Sequence, residues 1–163
     1  MRLHLLGPLL VEADDGADVT PRGAQQRRLL AALAMVAPRP LSVDRLADIL
    51  WPGGPPSANA LQAQISKLRR GVPGLTVTSN GRGYALVLTA EDTVDALELD
   101  RLLQQAAEEA SAGRPAEALP RFAEAAALLR DEPLPELADT EVAAGERTRL
   151  RVLGATARAG LVD

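Results

Sequence analysis

Proline and glycine cut the stretch between Thr20 and Pro73 into three short pieces, and that punctuation limits the fold more than any other feature of the chain. Pro38 and Pro40 end the first piece, Pro52, Gly53, Gly54, Pro55 and Pro56 separate the second from the third, and Gly71 and Pro73 stop the third. Proline lacks the N–H that a helix interior needs, so none of these breaks can be read through. Thr20-Pro21 is a helix-start signal, and Gln25–Val36 follows with Leu29, Leu30, Leu33, Met35 and Val36 at helical spacing. Ser42 is a good N-cap for a helix through Leu50 that carries Leu46, Ile49 and Leu50 on one face. Ser57 is the expected cap of a third helix, Ala58–Arg70, whose Ala58, Leu61, Ile65 and Leu68 must be buried against the first two.

Strand signals flank these helices. The start of the chain reads as two short strands turned at Gly7-Pro8, and Asp18–Thr20 is a candidate third strand. Leu75–Thr78 and Gly83–Leu88 are β-prone runs joined by Ser79, Asn80, Gly81 and Arg82, which is hairpin-turn material. After Ala90 the pattern becomes helical throughout. Val94–Ala112 and Ala116–Arg130 are amphipathic helices joined at Gly113-Arg114-Pro115, an αα-hairpin of the kind stacked in tetratricopeptide-like folds, and Val142–Leu161 is a weaker third helix. The predicted organisation is an α+β domain over residues 1–90 and an all-α domain over residues 91–163.

Charge follows the same division. The net charge of −4 hides ten basic against six acidic side chains in residues 1–90, and eight against sixteen in residues 91–163. Between Thr20 and Ala90 only Asp44 and Asp48 oppose nine cations, which suits a polyanion-binding module followed by one that repels polyanions. With no Cys and one His there is no thiolate nucleophile, no disulfide framework and no imidazole cluster. No Gly-rich phosphate loop ends in Gly-Lys, and no Gly-x-Ser-x-Gly elbow occurs. Neither an enzyme nor a cofactor is expected. The longest apolar run, Leu29–Ala37, is far shorter than the roughly 20 residues of a membrane span, and acidic Glu12, Asp14 and Asp15 interrupt the N-terminus where a signal peptide would continue. The expectation is a cytoplasmic chain with no membrane partner.

The third helix carries the candidate site. Opposite its buried stripe lie Asn59, Ala63, Ser66 and Arg70, flanked by Gln62, Lys67 and Arg69, with no acid among them. Arg and Lys donate to guanine edges or phosphates, Asn and Gln pair with adenine, and Ala suits a thymine methyl. An ordinary solvated helix face mixes glutamates among its cations. Arg82, at the tip of the hairpin, is placed to reach a backbone or minor groove.

Taken together, Leu6-Gly-Pro-Leu9, Arg27-Arg-Leu-Leu-Ala-Ala-Leu33, Leu41-Ser-Val-Asp-Arg-Leu-Ala-Asp-Ile-Leu-Trp51, Pro55-Pro-Ser-Ala58, Ala60-Leu-Gln-Ala-Gln-Ile-Ser-Lys-Leu-Arg-Arg70 and Gly81-Arg-Gly-Tyr-Ala-Leu86 resemble the Streptomyces antibiotic regulatory protein family. Its members join an OmpR-type winged helix to a bacterial transcriptional activation domain, whose opening Val94-Asp95, residues 113–130 and Pro133–Leu137 resemble. The chain has Leu129-Arg130-Asp131 where the family commonly has Trp-Arg-Gly, and the family's activation domain runs further than Asp163, so a partial domain is expected. The resemblance implies an activator that binds repeated sites on double-stranded DNA and contacts RNA polymerase, with a homodimer as a further partner. Asn59, Gln62, Ala63, Ser66, Lys67 and Arg70 would then meet bases or adjacent phosphates, Arg69 a phosphate, and Arg82 would act in the wing. Trp51 would either lie near the DNA backbone or fill the gap between the second and third helices, and Tyr84 would be hairpin core. Two other readings stay open on the residues alone: a protein-interaction module, and the front end of a longer signal-sensing regulator.

Overall fold

The apolar stripe of the first helix is buried on every side: Leu29, Leu30, Ala31, Ala32 and Leu33 have no solvent exposure. The structure, a computed structural model, describes residues 1–162. A short hairpin, β1 (Arg2–His4) and β2 (Leu10–Glu12), precedes α1 (Ala24–Val36). Then come β3 (Leu41–Ser42), α2 (Val43–Leu50), α3 (Ala60–Gly71), and the hairpin β4 (Thr76–Ser79) and β5 (Gly83–Val87). The remainder is β6 (Thr93–Val94), α4 (Asp95–Ser111), α5 (Pro115–Ala127), a single 3-10 turn (Pro135–Leu137) and α6 (Glu141–Gly160). The fold is a winged helix-turn-helix followed by a helical domain, as the sequence predicts.

Helix α1 is the hub of the first half, with α2, α3 and β5 packed on it. Ser42 caps α2 as expected, its hydroxyl accepting from the Arg45 amide at 3.2 Å. The strands form two three-stranded sheets, in the orders β2-β1-β6 and β3-β5-β4. In the second, Leu41 pairs with Tyr84 and Ser42 with Gly83, so the strand between α1 and α2 closes the hairpin sheet. In the first, β6 runs parallel to β1 with Leu3 opposite Val94, bringing together strands from the two ends of the α+β region. Neither two-residue strand is expected from sequence, because two residues carry no alternating pattern.

Most predicted boundaries shift by a residue or so, and three larger departures have a visible reason. Asp18–Thr20 makes only an isolated bridge to Glu12, because Asp18 Oδ1 captures both the amide (2.9 Å) and the hydroxyl (2.6 Å) of Thr20 in a local turn. Helix α3 starts at Ala60, not Ala58: the Ser57 carbonyl accepts from the Ala60 amide at 3.3 Å in a preceding turn, leaving Asn59 at the cap position. Helix α5 stops at Ala127, short of Arg130, because the Leu128 and Leu129 amides tighten onto the carbonyls of Ala125 and Ala126 (3.2 and 3.1 Å) and the donors after them are claimed elsewhere. The amides of Arg130 and Asp131 reach the Leu6 carbonyl (2.9 and 3.2 Å), and that of Leu134 reaches the Leu5 carbonyl (2.9 Å). Helix α6 runs Glu141–Gly160, one residue earlier at each end than expected.

The same Leu5–Leu6 segment is held from its other side. The Asp95 carboxylate, at the start of α4, accepts from the Leu5 amide at 2.7 Å and the Leu6 amide at 3.0 Å. Asp95 is only 5% exposed, and burial outweighs these hydrogen bonds, raising its carboxyl above the ordinary 3.8. A second tie comes from Arg28 on α1. Its guanidinium donates to the Ile49 carbonyl at the end of α2 (2.6 Å), to the Glu136 carbonyl (2.8 Å) and to the Asp139 carboxylate (2.9 Å). Asp139 is 68% exposed, so its ion pair with Arg28 is screened and weak, and the two backbone carbonyls make this contact matter.

Replacing Asp95 by Ala should leave two buried amides without acceptors and cost on the order of 2–5 kcal/mol, read as a lower urea midpoint with unchanged slope. A carboxyl whose value is raised on folding stabilises below its unfolded value and loses that contribution as pH rises through its folded value. The stability advantage of wild type over Asp95→Asn should therefore shrink as pH climbs from 3.8 through the elevated value of Asp95, a trend that urea titrations across that range would show or refute.

Candidate nucleic-acid interface

Helix α3 is anchored by Leu61, Ile65 and Leu68, all buried, and by a polar contact absent from the sequence reading. Gln26 of α1, itself buried, donates through Nε2 to the Gln64 carbonyl at 3.1 Å and to the Gln64 side-chain oxygen. This fixes both the roll and the axial position of α3 on α1. With that face spent, Gln62, Ala63, Ser66, Lys67, Arg69 and Arg70 all emerge exposed, as does Asn59 in front of the helix. The Asn59 side chain makes no capping bond, so its amide is free to face a ligand.

The hairpin tip is local turn chemistry. Asn80 Oδ1 accepts from the amides of Arg82 (3.1 Å) and Gly83 (2.9 Å), and Gly81 supplies the positive φ of 83° that the turn needs. Its base is fixed twice over. The Val43 amide donates to the Arg82 carbonyl at 3.1 Å, and Arg69 donates from Nε and Nη2 to the Val77 carbonyl at 3.2 and 2.6 Å. Arg69 thus binds the third helix to the wing, leaving only the rest of its guanidinium edge for an outside acceptor. Gly83 permits the crossing beneath: a Cβ there would stand 2.3 Å from the Leu41 carbonyl oxygen. Tyr84 is buried in the core, as predicted. Trp51 is half-buried against the core, with its amide donating to Ala47 at the end of α2, which fits the gap-filling alternative.

Charge pairing is sparser in the first half, where exposed Arg22, Arg39 and Arg45 lack carboxylate partners among the described residues, than in the helical half. Five arginines of the helical half are matched, Arg101 with Glu98, Arg114 with Glu109 and Glu117, Arg121 with Glu124, Arg149 with Asp100 and Glu146, and Arg151 with Glu132, while exposed Arg130 and Arg158 meet no carboxylate among the described residues. Among the described residues, no carboxylate lies within ion-pair distance of Lys67, Arg70 or Arg82. The one imidazole is occupied, His4 Nε2 lying 2.6 Å from the Glu12 carboxylate, whose carboxyl that contact lowers. The described residues hold no group of three His, Cys, Asp or Glu suited to a metal, and no helix long and apolar enough to cross a membrane.

Residues 18–86 match the family model described as transcriptional regulatory protein, C terminal, and residues 94–163 match the bacterial transcriptional activator domain. Over 116 residues the chain is 35% identical to the regulatory protein AfsR of Streptomyces coelicolor, an alignment covering 69% of this chain and 12% of AfsR. It superposes on Mycobacterium tuberculosis EmbR, solved in complex with a low-affinity phosphopeptide, with a TM-score of 0.83 and 28% identity over 96% of this chain and 43% of that one. This chain belongs to the Streptomyces antibiotic regulatory protein family.

Three structural side chains carry no local signal of their partners. Gln26 is overlooked because a glutamine at the start of a helix looks like solvated surface, and only the fold supplies its partner in α3. Arg28, inside the family run beginning at Arg27, gives no sign in sequence that its partners lie beyond residue 130. Arg130 is the middle residue of the Leu129-Arg130-Asp131 departure, and it keeps a structural task, donating to the carbonyls of Pro8 (2.7 Å) and His4 (3.3 Å).

Two substitutions separate scaffold from surface. Gly83→Ala should force β3 and β5 apart and cost roughly 1–3 kcal/mol, lowering the thermal midpoint. Lys67→Ala, on an exposed side chain with no intramolecular partner, should move that midpoint by no more than about 0.5 kcal/mol equivalent. Equal melting of Gly83→Ala and wild type would refute the tight crossing.

Proposed function

We propose that this chain is a sequence-specific DNA-binding transcription regulator, an activator that lays α3 in the major groove and the β4–β5 wing along the backbone or minor groove. The carrying observation is the surface of Lys67, Arg70 and Arg82, cations without carboxylate partners beside the amides of Asn59 and Gln62 and the hydroxyl of Ser66. Holding like charges together unpaired costs a free protein some stability, and a polyanion reverses that cost. In this reading Asn59, Gln62, Ala63, Ser66, Lys67 and Arg70 meet base edges or neighbouring phosphates. Arg69 contributes the remainder of its guanidinium to a phosphate, and Arg82 works in the wing. Trp51, half-buried against the core at the end of α2, fills space between the second and third helices and stands near the DNA backbone.

The acidic helical half is the surface for RNA polymerase. Its match to a bacterial transcriptional activator domain supports this, as does a charge that keeps it off DNA. Occupation of repeated sites by two copies is the family's habit and completes the proposal. Both matching family models describe transcription regulators, and nothing in the site calls for catalysis.

Arg70→Ala or Lys67→Ala should weaken binding to a selected duplex by roughly 1–3 kcal/mol where the side chain reads a base, with discrimination against a mutated site falling too. A residue that meets only phosphate should instead lower affinity uniformly across sequences and reduce the salt dependence. Anisotropy titrations at two salt concentrations distinguish these outcomes, and wild-type affinity in both variants would remove α3 from the interface.

A further inference from the structure

A groove of about 500 Å³ opens beside the recognition face, between the loop ahead of α1 and the C-terminal end of α3. Thr20, Pro21, Arg22 and Gly23 form one wall, and Lys67, Gly71 and Val72 the other. Lys67 therefore belongs to two surfaces, the outer strip of α3 and this groove. Arg22 is exposed, and among the described residues its side chain has neither a carboxylate nor a carbonyl partner. Its main-chain carbonyl is occupied instead, accepting from Arg27.

The one acid on the rim, Asp18, is exposed and keeps its negative charge, with one carboxylate oxygen engaged locally. Its Oδ1 takes the Thr20 amide and hydroxyl, and these bonds hold its carboxyl below the ordinary value. The first turn of α1 contains no acidic residue and has no side-chain cap, so it adds a partial positive charge to the two full ones. Gly71 has open space where a side chain would begin, which leaves its wall of the groove unobstructed.

We propose that Arg22 and Lys67 form a phosphate clamp that extends the DNA interface past the end of α3, gripping the backbone strand that borders the major groove. This rests on the DNA-binding reading given above and adds a second element, the loop at residues 20–23, to the contact surface. Charge complementarity and continuity with the α3 strip select a nucleic-acid backbone as the occupant. Two full positive charges on the groove against one acid make a phosphate a better occupant than an uncharged peptide. A phosphate contact positions the protein without reading sequence, so Arg22 sets register and affinity while the α3 face sets preference.

The test uses the full chain and a fluorescein-labelled duplex selected by the wild-type protein from a random pool, with a scrambled duplex of the same length. Arg22→Gln should bind both duplexes about fivefold more weakly at moderate salt, and the slope of log affinity against log salt should fall by about 0.9. Arg22→Lys should restore the slope, and thermal midpoints should be unchanged. If Arg22→Gln keeps wild-type affinity and slope while Arg70→Ala loses affinity, the clamp is wrong and the DNA-binding function stands. If the wild-type chain selects no duplex, the function falls and the clamp with it.

Discussion

Two leucines near the start of the chain hold its halves together. Leu5 and Leu6 bury their side chains, and every backbone polar group they carry is answered from beyond residue 94. Their amides go to the Asp95 carboxylate, and their carbonyls to the amides of Leu134, Arg130 and Asp131. A buried, unpaired backbone group costs free energy comparable to a lost hydrogen bond, so this segment cannot sit in the core unless the helical half is in place around it. The parallel pairing of β1 with β6 and the reach of Leu9 to the Glu136 carboxylate at 2.6 Å follow from the same placement. The result is one hydrophobic core contributed to by both halves.

Most of the winged helix was legible because its signals are local. Pro and Gly stops, the Ser42 cap and the Leu61, Ile65 and Leu68 stripe each specify their own structure, and α1, α2, α3 and the β4–β5 hairpin lie within two residues of where those signals put them. What was not legible depends on distant partners. The end of α5 is decided by carbonyls more than 120 residues away in sequence, and the two-residue strands β3 and β6 exist only because β5 and β1 pass beside them. Asp18–Thr20 failed as a strand for the opposite reason, a side chain close by that satisfies the backbone before a ladder can form.

The candidate site was legible as an outline, since helical spacing alone sorts residues 59–70 into an inner and an outer face. It was not legible as a division of labour. Arg69 and Arg70 are adjacent and chemically identical in sequence, yet one is drawn back onto the Val77 carbonyl while the other stands free. Which arginine turns inward depends on where β4 passes, and that is a tertiary fact. The pairing contrast is likewise visible only in three dimensions: five arginines of the helical half meet carboxylates at short sequence spacing or across helices, whereas Lys67, Arg70 and Arg82 have no acid within ion-pair distance among the described residues.

The Arg69 contact has a further consequence. Because the helix and the hairpin are tied to each other at Val77, and the hairpin base to Val43, their relative angle is settled when the chain folds. The conformational entropy of arranging them is lost at that stage rather than on meeting a ligand, so the surface is preorganised. A tool of fixed jaw width measures what it grips. Under the proposed DNA-binding function, the distance between the outer face of α3 and the tip at Arg82 would act as a ruler, favouring duplexes whose groove geometry already matches it.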